Sequence, residues 1–187
     1  MKEIEILVEV RESKESALKK LQRFKHAGTV NIQDTYYYDP RHKEQFIDEN
    51  DAFKRMFRVR RKGDKAFLTY KEDHFEEEEW LYADEWETRI DDPAIMQSIL
   101  EHLGYEALVV VNNTREVFIT EDYEIVLEDV KDLGLFLEVE ALSPKDDARI
   151  VRERIFSLLS SLEMTISGES KAGKAELLYA KKLGKNV

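Results

Sequence analysis

Lys2-Glu3-Ile4-Glu5-Ile6-Leu7-Val8-Glu9-Val10 alternates without a break, placing Ile4, Ile6, Val8 and Val10 on one side and Glu3, Glu5, Leu7 and Glu9 on the other. Side chains of a β-strand alternate faces with period two, so this segment predicts a strand with one apolar and one acidic face. The same device recurs in Arg58-Val59-Arg60, Glu85-Trp86-Glu87 and Glu138-Val139-Glu140, where like charges flank an apolar residue. A sheet with apolar residues on its outer face and carboxylates and guanidinium groups on the other is inverted relative to an ordinary core. It predicts a closed or strongly curved sheet with a charged interior, suited to holding a polyanion together with metal ions.

The rest of the chain fills in around these strands. Ser13 reads as an N-cap, followed by Ala17, Leu18, Leu21 and Phe24 at helical spacing, with Gly28 at the expected helix end. Residues 30–38 are β-branched and aromatic, and the Tyr36-Tyr37-Tyr38 run reads as strand; residues 41–54 read as an irregular loop or a mobile helix. Strands near 55–62 and 65–72 flank a Lys62-Gly63-Asp64 turn, and Glu76 to Glu79 reads as a solvated loop before a strand near 80–90. Asp92-Pro93 opens a helix whose predicted buried stripe is Ile95, Ile99, Leu100 and Leu103, ending at Gly104. Three strands follow near 108–119, 122–130 and 135–142. Ser143-Pro144 then opens a long helix carrying Ile150, Val151, Ile155, Leu158, Leu159 and Leu162, and a short helix lies near 174–183.

The reading is one α+β domain over residues 1–187, with about eight mostly antiparallel strands closing into a barrel and helices packed outside. The formal net charge of −11 argues against broad binding to nucleic acid or an anionic membrane, which needs an excess of Lys and Arg. With no cysteine, disulfides and thiolate metal sites are excluded. The start of the chain shows no signal peptide and no apolar run is long enough to span a bilayer, so a cytoplasmic protein is expected. His26, His42, His74 and His102 lack metal-ligand spacing and read as surface residues. Trp80 and Trp86 alternate with charges and read as barrel-wall packing.

Several segments, in order, resemble the CYTH superfamily, also called triphosphate tunnel metalloenzymes. Glu3-Ile4-Glu5-Ile6-Leu7 is similar to its Glu-x-Glu-x-Lys strand, Phe57-Arg58-Val59-Arg60 to Leu-Arg-Ile-Arg, and Leu68-Thr69-Tyr70-Lys71 to Leu-Thr-x-Lys. Glu85-Trp86-Glu87 resembles a carboxylate strand and Arg115 the arginine of Lys-x-Arg. Leu127-Glu128-Asp129-Val130 and Leu133-Gly134-Leu135-Phe136-Leu137-Glu138-Val139-Glu140 resemble Leu-Asp-x-Val and Leu-Gly-x-Phe-x-Glu-x-Glu. The chain departs from the pattern in four places, the last of them a residue pair. Leu7 and Asn113 stand where the family has lysines, Glu128 replaces Asp, and Gly173-Lys174 falls near a late Ser-Tyr pair, leaving Lys171 or Lys174 as the late contact.

The resemblance implies a closed eight-stranded antiparallel barrel open as a tunnel, in which cations grip a triphosphate and carboxylates hold Mg²⁺ or Mn²⁺. It implies metal roles for Glu3, Glu5, Glu85, Glu87, Glu128, Glu138 and Glu140, and substrate-binding roles for Arg58, Arg60, Lys71, Arg115 and Lys174. Glu3, Glu5, Arg58, Arg60 and Lys71 are the expected catalytic set. The physical chemistry agrees: arginine forks match phosphate oxygens, and phosphoryl transfer depends on positioning and charge neutralisation rather than a protein nucleophile. The expected activity is metal-dependent phosphotransfer on tripolyphosphate, thiamine triphosphate or ATP. The nucleophile would be metal-activated water in a triphosphatase or the ribose 3′-hydroxyl in an adenylate cyclase. Leu7 and Asn113 support the alternative of a non-catalytic nucleotide or organic-phosphate binder, and a third reading is a structural domain whose internal charges pair with one another. The family also leans towards a homodimer.

Overall fold

The computed structural model describes residues 2–49, 52–76 and 79–185. The strands are β1 (Lys2–Glu3), β2 (Glu5–Val10), β3 (Lys25–Tyr38), β4 (Arg55–Lys62), β5 (Lys65–Glu76), β6 (Glu79–Ile90), β7 (Glu106–Ile119), β8 (Tyr123–Val130), β9 (Gly134–Ala141) and β10 (Ile166–Glu169). The helices are α1 (Lys14–Leu21), α2 (Lys43–Phe46), α3 (Pro93–His102), α4 (Ala148–Ser161) and α5 (Lys174–Lys182), and a 3₁₀ turn spans Pro40–His42. All strands join one antiparallel sheet in the order β1-β6-β5-β4-β3-β7-β8-β9-β2-β10. The paired 14-residue strands β3 and β7 form its middle.

The sheet curls until its two ends meet at the N-terminal segment. Lys2 and Glu3 pair with Asp84 and Ala83 of β6, while Glu5–Glu9 pair with β9, and only Ile4 separates the two ladders. The expected closed eight-stranded barrel is therefore corrected to an open, curled sheet of ten strands. The cause lies in β10, whose pairing with Val8 and Val10 fills the edge of β2 that β6 would need for closure. Among the described residues, a two-residue ladder joins β1 to β6 across the seam.

The period-two pattern sorts the faces. Ile4, Ile6, Val8 and Val10 join Ile125, Leu127, Leu137 and Val139 in the main core, beneath Val151, Ile155 and Leu159 of α4 and Ala17 and Leu21 of α1. Val59 packs with Tyr37 and Leu100 on the outer side of β4. The alternate residues of the same strands face inward.

Several local expectations are corrected. On α3 the sheet contacts Met96 and Leu100, whereas Ile95, Ile99 and Leu103 are 59%, 45% and 59% exposed. The helix carries two neighbouring apolar lines four residues apart, and only docking on β4 selects between them. α4 starts later than Ser143-Pro144, at an Asp147 cap whose side chain accepts from the Arg149 amide, and Ile150 faces solvent. Gly28 ends no helix. It sits inside β3 at a bulge with φ of 136°, a conformation that suits glycine. Residues 41–46 belong to the 3₁₀ turn and α2, and an Ile47–Phe53 bridge closes the following loop. Glu76 and Glu79 extend β5 and β6, while residues 77 and 78 of the expected loop lie outside the described residues. Trp86 is 55% exposed beside Tyr70 rather than packed in a wall.

Candidate functional site

Strand register builds the inner face. Arg58 and Arg60 lie opposite Tyr36 and Asp34 across β3–β4, Lys71 lies opposite Glu85 across β5–β6, and Arg115 lies opposite Glu128 across β7–β8. Glu5 and Glu140 face each other across β2–β9, where Leu7 stands opposite Glu138. The charges form two linked groups.

In the first, Lys71 pairs with Glu3 and, at 2.9 Å, with Glu85. Arg58 approaches Glu85 at 3.9 Å and Asp34 at 3.8 Å, and donates to the Tyr36 hydroxyl at 3.4 Å. Arg60 grips Asp34 through Nε at 2.8 Å and Nη2 at 2.7 Å. In the second, fully buried Glu128 receives Lys174 at 2.6 Å, Asn113 at 2.6 Å and Arg115 at 3.2 Å. Lys174 also pairs with Glu138, which lies 3.8 Å from Arg115. Of the two lysines proposed for the late contact, the structure brings in Lys174, at the first turn of α5, while Lys171 is exposed.

Glu87 stands apart from this gathering. It is exposed, accepts from buried Thr69 at 2.9 Å, and contributes less to the interior than Glu85. Sequence reasoning passed over Asp34, although Ile32, Asp34 and Tyr36 alternate on the same inner face. Its role becomes visible only from its register with Arg60. Asp73 was also missed; its carboxylate accepts from Trp80 Nε1 at 3.0 Å, and burial raises it above its ordinary range. Glu176 joins Phe53 N at 2.6 Å to the Gly173 amide, and burial pushes it up to about 7, so it clasps α5 to the loop after α2.

The electrostatics divide the acids into two kinds. For Asp34, burial alone would raise the pKa, but Arg60 and Arg58 hold it well below the usual carboxylate range. For Glu138 the opposing pull on burial comes from Lys174 and Arg115, and it too stays low. Glu5 goes the other way: burial, then Glu138 and Glu3, push it well up despite Lys71 and Lys174. Burial, Glu3 and Glu138 likewise push Glu140 up to about 8. Burial would lower Lys71, yet Glu3 and Glu5 hold it above its ordinary value.

Glu140 gives a pH dependence with a definite sign. Below its ordinary value of 4.5 it is protonated in both folded and unfolded chains; between there and about 8 only the folded chain retains the proton. The unfolded state then binds fewer protons, so this group removes stability as pH rises through that window. In metal-free buffer, Glu140→Gln should flatten the fall of the melting temperature between about pH 5 and 8. Parallel profiles for wild type and variant would contradict this account.

Leu7 faces inward but lies in an apolar cluster with Tyr36, Phe136 and Val111, closed over by Phe53 and by Ala175 and Tyr179 of α5. Lys174, from another element, places its ammonium on Glu128 and on Glu138, the residue opposite Leu7 in the β2–β9 ladder. Leu7→Lys should cost about 1–2 kcal/mol in urea unfolding, because the stem retains some burial while its ammonium loses water. It should not tighten tripolyphosphate binding in calorimetry. A tighter complex would mean that the site still lacks a charge.

Among the described residues of the inner face, Arg58 Nε and Arg115 Nε are buried without a hydrogen-bond partner. For divalent cations the donor chemistry fits, since hard ions prefer carboxylate oxygen and the repulsion that raises Glu5 and Glu140 is what a cation would offset. No group of three acidic or histidine side chains stands ready as a metal cage among the described residues.

The chain matches the CYTH domain over residues 1–174. It is 27% identical over 168 residues to "Putative adenylate cyclase MJ0240" of Methanocaldococcus jannaschii, spanning 88% of this chain and 91% of that protein. Its fold is similar to that of the PH1819 protein from Pyrococcus horikoshii OT3, with a TM-score of 0.80, 26% identity and coverage of 96% and 99% of the two chains. A Hippeastrum protein, "Putative adenylyl cyclase HpAC1", described as revealing a dominant triphosphatase activity, has a TM-score of 0.68 at 18% identity, over 99% of this chain and 97% of that one. With the match running through all ten strands and the first residue of α5, the chain belongs to the CYTH domain family.

Proposed function

We propose that this protein is a metal-dependent phosphotransfer enzyme acting on a triphosphate compound, as a triphosphatase or an adenylate cyclase. The observation that carries the reading is the pair of buried, unpartnered Nε donors on Arg58 and Arg115, held on one inner face among carboxylates. A buried donor without an acceptor is costly, and an entering phosphate oxygen supplies one. Arg58, Arg60, Lys71, Arg115 and Lys174 then hold the phosphates. Glu3, Glu5, Glu138 and Glu140 would hold Mg²⁺ or Mn²⁺, with Glu85 and Glu128 orienting the cations beside them. When bound, the metal supplies neutralisation of phosphate charge. The chain's own part is to fix the phosphates in line and exclude bulk water through the apolar cluster around Leu7.

A binding protein without catalysis is the second reading, favoured by one observation: Lys174 sits on Glu138, a candidate metal ligand, and on Glu128 beside it. Tripolyphosphate, thiamine triphosphate and ATP, each with Mg²⁺ or Mn²⁺, separate the readings. Phosphate release would make it a triphosphatase. Pyrophosphate with cyclic AMP from ATP would make it a cyclase, and binding without turnover would support the second reading. Neither binding nor turnover would leave a structural domain.

A further inference from the structure

We propose that Asp34 is the positioning residue of the phosphate clamp, a role it performs by fixing the Arg60 guanidinium side-on and steadying Arg58 beside it. The inference rests on the triphosphate reading of the inner face and names a residue outside the motifs that led to that reading. Asp34 lies directly opposite Arg60 in the β3–β4 ladder, so the backbone sets their approach. Both carboxylate oxygens are engaged, Oδ1 by Arg60 Nε at 2.8 Å and Oδ2 by Arg60 Nη2 at 2.7 Å. Arg58 Nη1 stands 3.8 Å from the same Oδ2. The carboxylate is only 2% exposed.

This geometry has two opposed consequences. An arginine offers five donors in a rigid plane, and Asp34 takes two of them along one edge, which leaves the other side of the plane presented to an anion in a single orientation. Yet a buried negative charge next to the clamp repels the phosphate it helps to orient. Asp34 should therefore weaken binding and raise turnover, the opposite of what a residue present only to stabilise the fold would do. Phosphoryl transfer depends on such orientation, and a displacement of about 1 Å can cost a hundredfold in rate.

The test compares wild type, Asp34→Asn and Asp34→Glu with Mg²⁺ and tripolyphosphate, measuring Kd by calorimetry, phosphate release for kcat, and the melting temperature. Asp34→Asn keeps the shape and removes the charge. Its kcat should fall at least tenfold while Kd stays within about threefold of wild type or tightens. Asp34→Glu restores the charge but pushes the guanidinium away by one methylene, so kcat should remain low. Loss of binding and turnover by the same factor in Asp34→Asn, or no change in either, overturns the proposal. Recovery of kcat in Asp34→Glu also overturns it, since charge alone would then suffice. If Asp34→Asn does not fold, Asp34→Glu decides by the same criterion. A wild type that neither binds nor cleaves tripolyphosphate overturns the triphosphate reading, and Asp34's role with it. An active wild type with an indifferent Asp34 overturns the positioning role alone.

Discussion

Lys174→Met lowers folding stability by about 3 kcal/mol, because removing one member of a buried ion pair strands its partners. The ammonium donates to Glu128 and Glu138, and these acids hold it above its ordinary pKa although burial works the other way. Without it, fully buried Glu128 retains Arg115 and Asn113, while among the described residues Glu138 keeps only the more distant Arg115 at 3.8 Å. Urea unfolding measures the loss. The double variant Lys174→Met with Glu138→Gln should recover part of it, since the stranded charge is gone. A loss below about 1 kcal/mol for the single variant would show that water replaces the ammonium readily.

Arg58→Ala weakens tripolyphosphate binding by about 1.5–3 kcal/mol, the usual worth of a charge-assisted hydrogen bond. Arg58 offers a larger effect than Arg60 because its Nε, like that of Arg115, is buried and unpartnered. The Nε–Nη2 edge of Arg60 is already committed to Asp34. Lys19→Ala is the control: its ammonium is exposed and pairs with Glu15 one helical turn away, so binding should hardly change. Calorimetry in the presence of Mg²⁺ reads both. Equal losses from the two variants would point to diffuse electrostatics in place of a clamp. Arg58→Ala also leaves Asp34 and Glu85 with one cation fewer, so its melting temperature belongs with the binding data.

The sequence by itself determined the faces of the sheet. Alternation along Glu3–Val10, Arg58–Arg60 and Glu138–Glu140 separates charged from apolar side chains, because pleating permits no other arrangement within a strand. It therefore also placed Arg58 and Glu138 on one inner face, where Lys71, Arg115 and Glu128 were expected from the family resemblance. Short-range capping was legible too: Ser13 accepts from Ser16 N, and Asp92 accepts from Ala94 N and Ile95 N at the start of α3. The start of α4 was misread because Asp147, four residues beyond Ser143, proved the better acceptor for the first free amides.

What joins distant segments was decided only in three dimensions. The pairing of Asp34 with Arg60 depends on β3–β4 register, which is a cooperative outcome of the whole ladder and not a property of either strand. Lys174 joins the interior cations because α5 folds back over the apolar end, carrying its first residue to Glu128. The exposed line of α3 follows from which of two apolar rows met β4. The open sheet follows from β10 taking the free edge of β2. A local pattern fixes what a segment can bury, but each of these outcomes is a competition between segments for one partner, and tertiary packing decides it.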